Sequence, residues 1–108
     1  MSLLAIHENT LDEYLATDTP TLVEFSAKWC GPCRSLAAVL EEVAADLRGR
    51  LSVLTLDVDE NLDAARRFGV MAVPTMILFA GGQPVLRLVG ARGKAPLVRE
   101  LAAYLPEI

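Results

Sequence analysis

The sequence has little of what several large classes of protein require. Its 108 residues include two cysteines and one histidine, which are too few for a four-ligand zinc site built from these two residue types. The formal net charge is −4 and no run of basic residues occurs, so the electrostatic footprint of a nucleic-acid-binding protein is missing. The same negative charge would weakly repel an anionic membrane surface.

Long apolar runs are also absent. The longest apolar stretch, residues 69–82, contains Pro74 and is too short to span a bilayer, so we interpret it as core. The first eight residues have neither the positive flank nor the apolar run of a secretory signal. We therefore expect a cytoplasmic protein in a reducing compartment. A cysteine pair in such a compartment is more often catalytic or metal-binding than a structural disulfide.

The chain is long enough to form a hydrophobic core without disulfide staples. Its hydrophobic fraction is 53%, which argues against disorder, and 108 residues is the size of one domain. No internal repeat, linker or low-complexity tract divides it. We expect residues 1–108 to form a single domain and to act as a monomer.

Strand-like and helix-like stretches alternate along the chain, which predicts an α/β fold. The predicted strands are residues 3–6, 21–27, 51–58, 75–79 and 85–89. The predicted helices are residues 10–16, opened by a capping box at Thr10, residues 32–48, a short helix capped by Asn61 and stopped by Gly69, and a last helix that begins near Pro96. The buried stripe of that last helix is expected to comprise Leu97, Leu101, Tyr104 and Leu105.

The order of these elements predicts a mixed central sheet with helices on both faces. Strand–helix–strand crossovers make the central strands parallel, and a hairpin at Gly81-Gly82 makes the last pair antiparallel. Pro84 and Arg87 fit an edge strand, where a missing donor and an outward charge discourage aggregation. The residues of this region that we assign to the core are Met71, Met76 and Phe79.

The segment Trp29-Cys30-Gly31-Pro32-Cys33 lies between a predicted strand and the long helix. If Cys30 is the helix N-cap, Cys33 is the third helical residue, whose backbone N–H points back at the cap side chain. That N–H and the positive end of the helix dipole both favour a thiolate at Cys30. Gly31 leaves room above the sulfur, and Pro32 stiffens the turn.

This arrangement predicts thiol–disulfide exchange. The Cys30 thiolate would attack a disulfide in a partner protein and form a mixed disulfide, and Cys33, expected to be the more buried thiol, would then attack Cys30. Cys33 needs a base to lose its proton, and Glu24 is the candidate. Val23 and Phe25 point to the opposite face of its strand, so Glu24 would be buried and its pKa raised toward neutrality.

Simpler interpretations of these site residues stay open at this point. Glu24 could be a solvated residue on an edge strand, since glutamate is rarely buried unpaired. Trp29 could be ordinary core, although a contact surface is the stronger interpretation beside an exposed cysteine. The two cysteines could form a purely structural disulfide, but the loop that it closes is too small to restrain the unfolded chain much.

The segment Trp29–Cys33, together with Val73-Pro74-Thr75 and Gly90, resembles the thioredoxin family over about residues 10–105. The resemblance implies a thioredoxin fold, a cis peptide bond before Pro74, and backbone pairing between Val73 and an extended substrate segment. It also implies a flat apolar substrate surface around Cys30. The members of that surface are Trp29, Gly31, Pro32, Met71, Ala72, Val73, Pro74, Gly90 and Ala91.

By resemblance the chain is a protein-disulfide reductase and redox carrier, with Cys30 and Cys33 as catalytic pair and Glu24 as base. Its substrates would be protein disulfides, and its electron donor an NADPH-linked, flavin-dependent thioredoxin reductase; the chain itself carries no cofactor motif. Two rivals remain, a thioredoxin-fold binding or scaffold subunit with incidental redox activity, and an oxidase or isomerase. The Gly31-Pro32 pair and the lack of an export signal argue against the second.

Four positions depart from the common pattern of that family. Glu24 stands in place of an aspartate, and Ser26 stands in place of a second tryptophan. Thr55 replaces a lysine that commonly faces the buried acid, and Ala38 replaces a proline that commonly kinks the active-site helix. These departures leave the cysteine chemistry intact, but they bear on the reduction potential and on the rate of proton transfer.

Overall fold

A computed structural model describes residues 3–106, in which five strands form one sheet in the spatial order β1-β3-β2-β4-β5. The strands are β1 (Leu4–Ala5), β2 (Thr21–Ser26), β3 (Ser52–Asp57), β4 (Thr75–Ala80) and β5 (Gln83–Val89). A 3-10 turn at Glu8–Thr10 precedes α1 (Leu11–Leu15), and the later helices are α2 (Gly31–Asp46), α3 (Leu62–Arg67) and α4 (Lys94–Ala102). None of the helices in this part of the chain is long and apolar enough to cross a membrane.

The sheet is mixed, as predicted, with parallel strands β1, β3 and β2 and an antiparallel C-terminal hairpin. The prediction of parallel crossovers holds for β2–α2–β3, but it is wrong for β3–α3–β4, because β4 runs antiparallel to β2. The six residues of α3 span about 9 Å, whereas a six-residue strand spans about 20 Å. The helix by itself is therefore too short to carry the chain back along the sheet, and β4 begins beside the end of β2, where Thr75 pairs with Phe25.

The central strand β2 has one hydrophobic core on each side. Leu22 belongs to the core that contains α2 and α4, and Val23 and Phe25 belong to the core that contains α1 and α3. Helices therefore cover both faces of the sheet, as predicted. Because side chains alternate along a strand, Glu24 shares the face of Leu22 and points toward α2.

The hairpin between β4 and β5 forms where the Gly-Gly pair predicts it. Gly81 and Gly82 have φ values of 59° and 78°, and a two-residue type I′ turn requires a positive φ at both positions. β5 is an edge strand that carries Pro84 and Arg87, as predicted. The Arg87 guanidinium donates to the carbonyl of Phe68, which ties this edge to the end of α3.

Two residues that we assigned to the core lie at the surface instead. Tyr104 is 40% exposed, because α4 ends at Ala102 and the chain turns before it reaches the tyrosine. Met71 is 97% exposed, because it lies in the loop before β4 and not in the strand. The other core residues predicted in these segments are buried or half-buried: Leu97, Leu101, Leu105, Met76 and Phe79.

Two predicted helix caps do not form. The Thr10 hydroxyl donates to a backbone carbonyl three residues upstream and makes no cap hydrogen bond to α1. The Asn61 side chain accepts from the Glu8 N–H at 2.7 Å and donates to the Asp57 carbonyl at 2.8 Å. A Glu8 carboxylate oxygen instead accepts from the Ala64 N–H of α3 at 2.7 Å. Glu8 and Asn61 therefore tie the N-terminal segment to α3.

Replacing Asn61 with alanine is expected to lower the free energy of unfolding by about 2–3 kcal/mol. The side chain is buried, and its loss leaves two backbone groups without their hydrogen bonds. Urea unfolding followed by circular dichroism measures the effect. Asn9→Ala is the matched control, since Asn9 is exposed and should change the free energy by less than about 0.5 kcal/mol. Equal effects of the two substitutions would contradict the role assigned to Asn61.

Candidate active site

The two cysteines lie at the start of α2, in the turn that follows β2. Cys30 is the N-cap of the helix, with extended backbone angles, and Cys33 is the third helical residue. The Cys33 N–H donates to Cys30 Sγ at 3.2 Å, which confirms the predicted capping arrangement. Pro32 suits the first turn, because an N–H at that position has no partner within the helix.

Cys30 and Cys33 form a disulfide across this first turn, with their Cα atoms 5.3 Å apart. The two residues are 4% and 5% exposed. The expectations of an exposed Cys30 and a more buried Cys33 are therefore wrong for the oxidised protein. Ala27 is buried with the pair, and Val58 and Val73 pack against this cluster, so both cysteines are covered to a similar extent.

The loop before β4 runs beside the disulfide. The peptide bond between Val73 and Pro74 is cis, as the resemblance implies, and the Val73 carbonyl oxygen lies 3.9 Å from Cys30 Sγ. The Thr75 hydroxyl donates to a carbonyl within the loop at 2.6 Å, and the Gly90 N–H donates to the Pro74 carbonyl at 2.8 Å. These hydrogen bonds hold the loop and the end of β5 together next to the cysteines.

An exposed apolar surface lies next to the disulfide. Trp29 is 69% exposed, so the interpretation of this residue as core is wrong, and its Nε1 donates to Asp59 Oδ2 at 2.8 Å. Trp29 and Met71 line a cavity of about 150 Å³ together with Ala72, Val73, Val58 and Val70. Of the other residues predicted for this surface, three are exposed, one is half-buried and one is buried: Gly31, Pro32, Ala91, Gly90 and Pro74 respectively.

Glu24 lies in the middle of β2, between Thr55 of β3 and Met76 of β4. It is 2% exposed, so the edge-strand interpretation is wrong. Burial raises the pKa of the Glu24 carboxyl above its ordinary value, and a hydrogen bond from the Thr55 hydroxyl to Oε1, 3.0 Å long, partly offsets this effect. Oε2 has no hydrogen-bond partner within the residues that the structure describes.

Glu24 and Cys33 line the same cavity. Its volume is about 220 Å³, and Ser26 and Thr55 contribute to its walls. A space of this size accommodates several water molecules. The buried glutamate on the sheet and the second cysteine on α2 therefore border one and the same volume.

Two neighbours of the site lie outside the segment around the cysteines: Asp59, which was not predicted from the sequence, and Thr55, whose position the family resemblance places beside the buried acid. Asp59 holds the indole of Trp29, and Thr55 holds the carboxylate of Glu24. Both come from the end of β3 or from the turn after it. Since β3 runs parallel to β2, their C-terminal ends meet at one edge of the sheet, and this topology is the signal by which polar residues after β3 can be assigned to the site.

Comparison with known proteins identifies the family. The thioredoxin family profile matches residues 2–103. The chain belongs to the thioredoxin family. It is 51% identical over 96 residues to the thioredoxin of Mycobacterium bovis, an alignment that covers 89% of this chain and 83% of the relative. It is 42% identical over 102 residues to the thioredoxin of Alicyclobacillus acidocaldarius, with 94% and 97% of the two chains covered.

A further relative is the bifunctional thioredoxin reductase/thioredoxin of Mycobacterium leprae, which is 53% identical over 96 residues. That alignment covers 89% of this chain but 21% of the relative, so the chain corresponds to about one fifth of that protein's length. Thioredoxin family membership, together with the disulfide between Cys30 and Cys33, makes the chain a protein-disulfide oxidoreductase. The predicted fold and activity are confirmed.

Proposed function

We propose that the chain is a cytoplasmic protein-disulfide reductase in which Cys30 is the nucleophile and Cys33 the resolving thiol. The observation that carries this assignment is the 3.2 Å hydrogen bond from the Cys33 N–H to Cys30 Sγ at the start of α2. In the reduced protein, that donor and the positive end of the helix dipole favour a thiolate at Cys30. The thiolate is the form of cysteine that attacks a disulfide.

The reaction transfers two electrons by exchanging one disulfide for another. The Cys30 thiolate attacks a sulfur of the partner's disulfide, the S–S bond of the partner breaks, and its other sulfur leaves as a thiolate. Cys33 then loses its proton and attacks Cys30 Sγ, which breaks the mixed disulfide and releases the second partner thiolate. The partner disulfide gains two electrons, and the two cysteines lose two electrons as their own disulfide forms.

Glu24 is the base that we assign to the second step. It is the buried carboxylate on the α2 side of the sheet, and it lines the same cavity as Cys33. Burial raises the pKa of its carboxyl, which brings its affinity for a proton closer to that of a thiol. Its oxygen Oε2 has no hydrogen-bond partner in residues 3–106, so this oxygen is available as the proton acceptor.

Replacing Glu24 with glutamine is expected to slow turnover near neutral pH by about tenfold or more, because an amide cannot accept the Cys33 proton. In the wild type, the rate of the second step should fall as the pH drops through the raised pKa of Glu24. This acid limb should disappear in the variant. The measurement is a pH–rate profile for reduction of a protein disulfide, and an unchanged profile would remove Glu24 from the mechanism.

The same variant should be more stable than the wild type at pH values above the pKa of Glu24. The pKa of this carboxyl is higher in the folded state than in the unfolded state, so its contribution to stability is fully present below the unfolded pKa and is lost as the pH rises through the folded pKa. Glutamine does not titrate, so the advantage of the variant should vanish in acid. Thermal unfolding at several pH values tests this, and a variant that is slower yet more stable has not lost its activity by unfolding.

We assign substrate binding to the apolar surface beside the disulfide. Trp29 and Met71 offer exposed apolar area, and Val73 lies beside Cys30, where its backbone can pair with an extended substrate segment. A surface of this kind recognises an extended backbone near a disulfide and few side chains, which supports broad specificity. The remaining members of the surface are Gly31, Pro32, Ala72, Pro74, Gly90 and Ala91.

We infer that an NADPH-linked, flavin-dependent thioredoxin reductase re-reduces the chain, which then serves as a monomeric electron carrier in redox homeostasis. The Mycobacterium leprae relative supports this pairing, since its name joins a thioredoxin reductase and a thioredoxin in one protein. The exposed apolar surface beside the disulfide, which includes Trp29 and Met71, is one that the reductase and the substrates could occupy in turn.

An NADPH-oxidation assay with a thioredoxin reductase, the chain and insulin tests the whole proposal. NADPH should be consumed continuously only when all three proteins are present. A chain that reduces insulin with dithiothreitol but not with the reductase would contradict the proposed electron donor alone. A chain that reduces insulin with neither electron source would contradict the proposed direction of the reaction.

A further inference from the structure

Two hydroxyl groups line the approach to Glu24. Thr55 Oγ1 donates to Glu24 Oε1 at 3.0 Å, and Ser26 Oγ lies 3.5 Å from Thr55 Oγ1. Both hydroxyl-bearing residues are half-buried and line the cavity of about 220 Å³ that also reaches Cys33. The Glu24 carboxylate is therefore held on one side by an uncharged donor, the Thr55 hydroxyl, and the Ser26 hydroxyl is the polar neighbour of that donor.

The other groups around Glu24 do not compete for its carboxylate. Across β4 the neighbour is the apolar side chain of Met76. The charged residues that line the cavity are Lys28, Arg34 and Glu41. Lys28 binds Glu60 at 2.9 Å, the Arg34 guanidinium donates to the Lys28 carbonyl, and none of the three forms an ion pair or hydrogen bond with Glu24. Within residues 3–106, Thr55 is the side chain that donates to Glu24.

The two carboxylate oxygens of Glu24 thus have different surroundings. A hydrogen bond to an oxygen stabilises the negative charge there and lowers the tendency of that oxygen to take a proton. Oε1 receives such a bond from Thr55, whereas Oε2 has no hydrogen-bond partner in the described part of the chain. A proton that arrives through the cavity is therefore better accepted by Oε2.

We propose that Thr55 is a positioning residue that holds Glu24 by Oε1 and directs the Cys33 proton to Oε2. This inference rests on the proposed role of Glu24 as the base. In the step concerned, the Cys33 S–H bond breaks and an O–H bond forms at Oε2. The sulfur keeps the electron pair with which it attacks Cys30 Sγ, and the electrons of the mixed disulfide leave with the partner's sulfur.

The test is Thr55→Val, which removes the hydroxyl and keeps the β-branched shape that suits β3. Carbon-13 NMR of the Glu24 carboxyl gives its titration midpoint without any assay of activity. The midpoint should move upward by roughly half a pH unit or more, because the carboxylate loses its hydrogen bond. The acid limb of the pH–rate profile should move in the same direction, and Thr55→Ser, which restores a hydroxyl, should return both toward the wild type.

Thr21→Val is the matched control. It makes the same chemical change in a strand of the same sheet, but Thr21 lies three residues before Glu24 and donates to the Thr19 carbonyl. Neither the midpoint nor the acid limb should move in this variant. An equal movement in Thr21→Val would overturn the proposal, since the effect would then be a general response of the sheet to the loss of a hydroxyl.

Failure of the inference and failure of the base assignment give different results. If the midpoint of Glu24 stays in place in Thr55→Val, or is not restored by Thr55→Ser, then Thr55 does not position the carboxylate. If the midpoint moves but the acid limb of the rate stays in place, then Glu24 is not the base, and the directed transfer fails with it. The proposal is supported if the titration midpoint of Glu24 and the acid limb of the pH–rate profile move together in Thr55→Val and if Thr55→Ser restores both.

Discussion

Serine in place of Cys30 is expected to abolish the reduction of protein disulfides, with turnover lowered by about three orders of magnitude or more. A hydroxyl at this position is not ionised near neutral pH and cannot form the mixed disulfide. The loss should be purely chemical, because Cys30 is the N-cap of α2 and serine is among the preferred N-cap residues. The NADPH-coupled assay with insulin measures the loss.

Circular dichroism and thermal unfolding are the structural controls for Cys30→Ser, and both should show an intact fold. Ser35→Ala is a matched control on the same helix, since Ser35 is exposed and its substitution should leave turnover unchanged. A Cys30→Ser variant that keeps more than about one tenth of the wild-type rate would show that another group is the nucleophile.

Replacing Cys33 with serine is expected to turn the chain into a trap for its partners. The Cys30 thiolate can still attack a disulfide, but the only other cysteine of the sequence is gone and the mixed disulfide is not resolved. A covalent adduct of the chain with the partner should therefore accumulate, and repeated turnover should fall by about a hundredfold or more. Gel electrophoresis without reductant detects the adduct, and dithiothreitol should release it.

The double variant Cys30→Ser, Cys33→Ser is the control for trapping, because it has no thiol and should form no adduct. If Cys33→Ser remains fully catalytic with protein disulfides, the two-thiol mechanism is wrong. The double variant also separates a reductase from a scaffold subunit, since a scaffold would keep its biological activity without either sulfur.

The cysteine site could be predicted from the sequence because its geometry is local. Cys30 and Cys33 belong to one helical turn, and the capping rule that joins an N-cap side chain to the N–H three residues later depends on nothing outside α2. The burial of Glu24 was also predictable in part, because the alternation of apolar residues in β2 already indicates which faces are covered.

The partners of the site residues do not follow from local sequence patterns, although the family resemblance places position 55 beside the buried acid. Thr55 meets Glu24 through the register of β2 against β3, across 31 positions in the sequence, and Asp59 meets Trp29 across 30. Asn61 looks like a helix cap, yet its amide is used by Glu8, 53 residues away. A propensity rule describes only the local sequence, so it cannot predict a hydrogen bond between residues this far apart. Where such a tertiary contact forms, it overrides the local preference.

The end of α4 shows a different limit of prediction from hydrophobic periodicity. The apolar spacing continues past Ala102 to Tyr104 and Leu105, so periodicity alone extends the helix and buries the tyrosine. The structure ends the helix at Ala102 and leaves Tyr104 at the surface. The direction of β4 escaped prediction for a related reason, since the apolar pattern of β4 is the same whichever way the strand runs.

The placement of both sulfurs within one turn of α2, with their Cα atoms 5.3 Å apart, restricts where the two oxidation states can differ. Making or breaking this disulfide does not require the strands or the other helices to move, because the bond does not join α2 to a second element. A protein that must distinguish the reduced chain from the oxidised chain therefore has to recognise a difference that is confined to a few ångströms around the two sulfurs. We expect such discrimination to come from the chemistry of thiol–disulfide exchange itself and not from a change in the overall shape of the protein.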